Sequence, residues 1–140
     1  MDITLDQANR IIANALQRSA EAGYKPMAVV VIDASGHTKS AQRQDGASMF
    51  RIDIATGKAW ASIAMGAASR VLTQGAKDLP AFFGALAATG NGKFIPQTGA
   101  VLIKDADGRV IGAAGASGGT GDEDEAICIA GIEAAGLQAG

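Results

Sequence analysis

Arg51 and Lys58 stand seven residues apart in a stretch that reads as helix, so they share one stripe separated by about 10 Å of rise. Ala55 and Ser62 lie on the same stripe and are small. Two fixed cations beside small residues can hold a ligand with two carboxylates, because arginine binds a carboxylate in bidentate fashion. The alternative is an ordinary solvated helix face. Just upstream, Arg43 and Asp45 add a further cation and carboxylate.

The second candidate is the run from Ser117 through Gly118, Gly119 and Thr120 to Gly121. It leaves a strand and enters a helix, the position at which backbone N–H groups bind anions. No G-K-[ST] follows, so it is not a P-loop, and the dinucleotide fingerprint G-x-G-x-x-G is not met in a parallel unit. Asp122, Glu123, Asp124 and Glu125 fill the first helical turn. Carboxylates there complement the helix dipole and repel an incoming phosphate. Thr120 and Glu123 form a capping box. The run is either a well-capped helix start or the lining of a ligand pocket, and a phosphate is the weakest of the possible ligands.

His37 is the only histidine and follows the turn Asp33-Ala34-Ser35-Gly36. Histidine serves as acid, base or haem ligand; a histidine beside a turn is otherwise simply exposed. It has no defined serine and aspartate partners, so no hydrolytic triad is assembled. Cys128 is the only cysteine, sits in an apolar helix and reads as an inert core residue.

Composition narrows the rest. The chain has 140 residues, the size of one domain, with 48% hydrophobic but only 4% aromatic residues and 19 glycines. Its core is expected to be small residues packed closely. A net charge of −2 with no basic run gives no nucleic-acid footprint. One cysteine and one histidine argue against both a disulfide framework and a structural zinc site. The start MDITLDQANR lacks the apolar segment of a signal peptide, and no run approaches a membrane span. A cytoplasmic protein without membrane contact is the expectation.

The elements that must position these groups follow from spacing. Thr4 and Gln7 make a capping box, Ile3 precedes it as a staple, and apolar spacing carries a helix over residues 5 to 22 until Gly23. MAVVVID is a buried strand, DASG a turn and HTKSAQRQ a more exposed partner strand. A second long helix covers 48 to about 67 with Phe50, Ile54, Ala61 and Met65 on one side; Gly57 inside it signals close packing. Short helices start at Ser69 and Pro80, and NGKFIPQTG is a loop with some strand character. AVLIK, the turn DADG and RVIGAAGAS form a second hairpin before a last helix over 122 to 135. That helix is apolar almost all round, so it is covered on more than one side, within the domain or by a second subunit. Strands arriving as sequential hairpins predict an antiparallel sheet in an α+β sandwich.

With the elements placed, VVVIDASGH, RQDGA and IDIATGKAWAS, followed by GAVLIKDADGRVIGAAGASGGTGDEDEAICIAG, resemble the GlcG/HbpS-like, or haem-degrading domain, family, related to the PduO C-terminal domain. The resemblance spans roughly residues 5 to 136. It implies a profilin-like α/β/α sandwich with a central antiparallel sheet, assembled as a dimer-based homo-oligomer. By position, Arg43 and Asp45 match its R-x-D-G-A element and Lys58 its K-A element. Ser117, Gly118, Gly119, Thr120 and Asp124 match its later loop. Trp60 stands where tyrosine is common. Members are associated with haem or corrinoid binding and with pathways of small organic acids.

Two functions are therefore expected. In the leading one, a pocket between the second helix, the first hairpin and the Ser117–Asp124 loop binds a small carboxylate-bearing molecule. Arg51 and Lys58 anchor carboxylates, and Asp45 or Asp124 orients or moves a proton in an isomerisation, elimination or hydrolysis. In the alternative, the chain binds or handles haem or a corrinoid without turnover, with His37 on iron and the two cations on propionates.

Overall fold

The computed structural model describes residues 2–140. Helix α1 (Leu5–Ala22) opens on the Thr4–Gln7 capping box: the Gln7 N–H donates to Thr4 Oγ1 at 3.1 Å and the Thr4 N–H to Gln7 Oε1 at 3.0 Å. Its end is the left-handed Gly23, φ 71°. Ile3, ahead of the cap, is buried and donates its N–H to the Ile111 carbonyl at 3.0 Å, which ties the chain start to the sheet.

Strands β1 (Ala28–Asp33) and β2 (Thr38–Arg43) form the first hairpin; β3 (Ala100–Lys104) and β4 (Val110–Ser117) form the second. The two turns are built alike. Asp33 Oδ1 accepts the N–H groups of Ser35 and His37, as Asp105 Oδ1 accepts those of Asp107 and Arg109. Gly36 and Gly108 take the positive φ that each turn requires, 88° and 80°. All pairings are antiparallel, in the order β2-β1-β4-β3-β5, with Ala28 opposite Ser117 at the centre. The outermost strand, β5 (Gln138–Ala139), is a two-residue addition beside β3. The sequence reading does not contain it: so short a strand has no periodicity.

Side chains of β1 alternate between two helical layers. Val29 and Val31 face α1 and α5 (Gly121–Ala134), whereas Val30 and Ile32 face α2 (Phe50–Met65). Helices α3 (Ser69–Asp78) and α4 (Pro80–Thr89) extend the α2 layer around Leu72, Phe83 and Phe94. This is the expected α+β sandwich, helices on both faces of an antiparallel sheet. The segment from Asn91 to Gly99 runs as a loop without strand pairing. Among the described residues no helix is long and apolar enough to cross a membrane.

The buried side of α2 is made mostly of its small residues. Phe50 and Met65 do not define its buried side: they are 62% and 39% exposed, and the helix buries Ala55, Gly57, Lys58, Ala59, Ala61 and Ser62 instead. The reason is distance. A Cβ at Gly115 of β4 would lie 2.3 Å from the Ala55 carbonyl oxygen, and one at Gly57 would lie 2.5 Å from Ile95 Cδ1. A helix that close to the sheet admits only small side chains beneath it. Helix α5 is likewise pressed onto α1, where a Cβ at Gly131 would meet the Ile11 carbonyl oxygen at 2.4 Å.

Candidate functional site

The close approach of α2 to β4 carries Lys58 across the end of the sheet. Its Nζ donates to the Ala116 carbonyl and to Asp124 Oδ2, each at 3.0 Å. Lys58 is 5% and Asp124 2% exposed. The other carboxylate oxygen of Asp124 accepts the Gly119 N–H at 2.9 Å. Asp124 thus locks the glycine loop to α2. The loop can bend this way because Gly118, at φ 153°, has no room for a side chain: a Cβ would sit 2.3 Å from the Pro26 carbonyl oxygen. Gly99, at φ 140°, packs against the ammonium, where a Cβ would lie 2.7 Å from Lys58 Nζ.

Burial pushes the Asp124 carboxyl above its ordinary value, against the pull of the Lys58 ammonium, the Gly119 N–H and Arg51. Arg51, one further step along the same helix stripe, donates from Nη1 to Ser117 Oγ at 3.0 Å. Thr120 caps α5, accepting the Glu123 N–H at 3.2 Å, while its own N–H donates to Glu123 Oε1. Arg51, Lys58, Thr98, Ser117, Thr120 and Asp124 line an open cleft of about 420 Å³.

The acidic turn is partly answered by cations from other elements. Asp124 is paired with Lys58, and Arg70 on α3 binds both Asp122 and Glu125. Glu123 is spent on the cap. Arg51, by contrast, has no carboxylate partner among the described residues. Two cations, Arg51 and Lys58, and two carboxylates, Asp122 and Asp124, line the cleft, and of the two cations Arg51 is the one without a carboxylate partner among the described residues. Sequence reasoning missed Arg70, Thr98 and Gly99, which reach the site from elements far along the chain. The Thr98-Gly99 pair ahead of β3 was the available signal.

The sequence-predicted residues do not share one pocket. His37 lies beyond the other flank of α2, 80% exposed in its side chain, with Nδ1 3.8 Å from Asp33 Oδ1. With Ile52, Thr56, Trp60 and Lys93 it lines a second cleft, of about 830 Å³. Helix α2 separates the two clefts, because Arg51 and Lys58 project from one flank and Ile52, Thr56 and Trp60 from the other. Arg43 and Asp45 are exposed at a third cleft, beside Tyr24 and the end of α1; Arg43 Nη1 donates to the Ala47 carbonyl at 2.5 Å. The buried Cys128 thiol is pushed up by desolvation, as expected of an inert core group.

Fold and clefts together define a small α/β/α sandwich with ligand-sized recesses on both flanks of one helix. The chain belongs to the HbpS-like family, whose model, described as haem degrading protein HbpS-like, matches residues 3–133. Three solved structures are similar to it. A PduOC–haem complex is 26% identical, with TM-score 0.86, and the match covers 100% of this chain and 98% of that one. Protein ORFY of Klebsiella pneumoniae is 27% identical, with TM-score 0.85 and coverage of 96% and 90%. A double mutant of Streptomyces reticuli HbpS is 24% identical, with TM-score 0.82 and coverage of 95% and 86%; at that identity it shows the fold alone. No curated protein matches the chain.

Proposed function

We propose that this protein binds and handles haem, or a corrinoid of similar shape, in the cleft between the first hairpin and α2. The observation that carries the reading is His37, the sole imidazole of the chain, at a recess of about 830 Å³ walled by Trp60 and Ile52. The donor set fits the group. Asp33 Oδ1 lies 3.8 Å from Nδ1, and Nε2 is left to meet iron. Trp60 and Ile52 offer apolar surface to the macrocycle, and Lys93 offers a cation to a propionate. Haem, when bound, supplies redox-active iron; the chain's own residues bind and orient it. Family membership and the haem complex formed by the 26% identical PduOC support the reading. The test is a haem titration of the purified protein beside His37→Ala. A saturable Soret shift lost in the variant is expected; a titration that never saturates, or one unchanged in the variant, overturns the assignment.

A second reading is favoured by the unpaired Arg51 guanidinium over the Lys58–Asp124 pair. The cleft on that flank binds a small carboxylate-bearing acid, and Asp124 exchanges a proton with it in an isomerisation, elimination or hydrolysis. Its raised pKa suits a general acid–base, whereas Asp45 lies exposed at another recess. Loss of carbon-bound protons to D₂O from a bound acid, followed by NMR and absent in Asp124→Asn, is the expected signature. The same chain self-associates as a homo-oligomer in this proposal, through the uncharged helix α4, on which Phe82 is 52% exposed.

A further inference from the structure

From the geometry we infer that the Arg51 cleft takes a carboxylic acid bearing an oxygen on the carbon next to its carboxylate, a 2-oxo or 2-hydroxy acid. The inference rests on the carboxylate reading of this cleft and names its substrate class. Two anchors of different character meet there. Arg51 is half-buried, lacks a carboxylate partner among the described residues and already touches Ser117 Oγ, so guanidinium and hydroxyl together present donors to a carboxylate. Lys58 is the second. An ammonium has three N–H donors, and two are taken, by the Ala116 carbonyl and by Asp124 Oδ2. The third has no protein acceptor among the described residues, on a side chain 5% exposed that lines the cleft.

The spacing of the anchors fits one small molecule. Arg51 engages Ser117 and Lys58 engages Ala116, which are adjacent residues of β4 with Cα atoms about 3.8 Å apart. Although their own Cα atoms are two helical turns apart, both cations line one cleft. A ligand whose carboxylate sits on Arg51 meets Lys58 with the oxygen of the next carbon. A plain carboxylate leaves that buried donor unanswered. Thr98 and Thr120 complete a polar wall, and Gly119 and Gly121 line it without side chains.

The test uses three probes on the full chain: pyruvate, L-lactate and propionate, which share a three-carbon skeleton and differ at C2. Calorimetric titration is expected to give pyruvate or lactate affinity about tenfold or more above that of propionate, the cost of an unmet hydrogen bond to a charged group. Arg51→Ala, a change on the half-exposed helix surface that leaves the buried pair intact, is expected to abolish binding of all three. Equal affinity for the three acids, lost in Arg51→Ala, overturns the C2-oxygen inference while the carboxylate reading stands. Binding that survives Arg51→Ala overturns the placement. If no acid binds, the carboxylate reading itself falls and the inference with it.

Discussion

Lys58 and Asp124, 66 residues apart in the chain, form an ion pair at 3.0 Å with both side chains almost wholly excluded from solvent. It joins α2 to α5 across the end of β4 and holds the glycine loop through the Gly119 N–H. Taking one partner away leaves a buried charge without compensation. Lys58→Met is therefore expected to cost about 3–5 kcal/mol in urea unfolding at neutral pH. The double change Lys58→Met with Asp124→Leu should cost clearly less than Lys58→Met alone. In Lys58→Met the Asp124 carboxyl, raised further still, binds its proton more readily when folded. The penalty is then full above its folded pKa and shrinks as pH falls through it. A pH-independent loss would show that charge burial is not its cause.

The nearness of α2 to β4 makes Gly115 a sensitive position. Alanine there places a methyl 2.3 Å from the Ala55 carbonyl oxygen, and backbone must move to admit it. Gly115→Ala is expected to destabilise by about 1–3 kcal/mol or more, read as a lower Tm. A variant as stable as the parent would mean that the two layers are not in contact at this point.

Asp33 supplies the pH dependence with the opposite sign. Its carboxylate accepts the His37 N–H and, against a smaller cost of burial, the Ser35 N–H, which holds its pKa below the ordinary 3.8. A depressed carboxylate contributes stability that is complete above the unfolded pKa and is lost as pH falls through the folded one. Asp33→Asn should cost about 1 kcal/mol at neutral pH, and its gap to the parent should close in acid. Because Asp33 also faces His37, the same variant should weaken haem in the titration above. An unaltered haem affinity would separate the turn from the ligand site.

Self-association through α4 is checked by Phe82→Ser. The side chain is 52% exposed, so the fold of a single chain loses little by the change. Sedimentation velocity is expected to shift from a multiple of the chain mass to its single value. An unchanged distribution would remove α4 from the interface.

Much of this architecture is written locally. The two capping boxes are pairs three residues apart, and Thr4–Gln7 and Thr120–Glu123 both close as their types require. The hairpin turns need an aspartate and a glycine three residues on, which Asp33–Gly36 and Asp105–Gly108 provide. Gly57 announced a close contact, and Ile95 proved to be its partner. Arg51 and Lys58 were legible as a stripe because helical spacing fixes it.

Other features depend on elements meeting in space. The buried side of α2 was not legible from apolar size, because the distance to Gly115 excludes large side chains. The cations that meet the acidic turn, Arg70 from α3 at Asp122 and Glu125 and Lys58 at Asp124, come from elements far along the chain. One imagined pocket became separate recesses because α2 stands between His37 and Arg51. The sequence by itself determined caps, turns, element order and an antiparallel sandwich, since these rest on interactions a few residues long. Which charges neutralise one another, and which cation stays open to a ligand, was decided only when the layers packed. Coulomb partners are chosen by distance in space, and no local pattern records that distance.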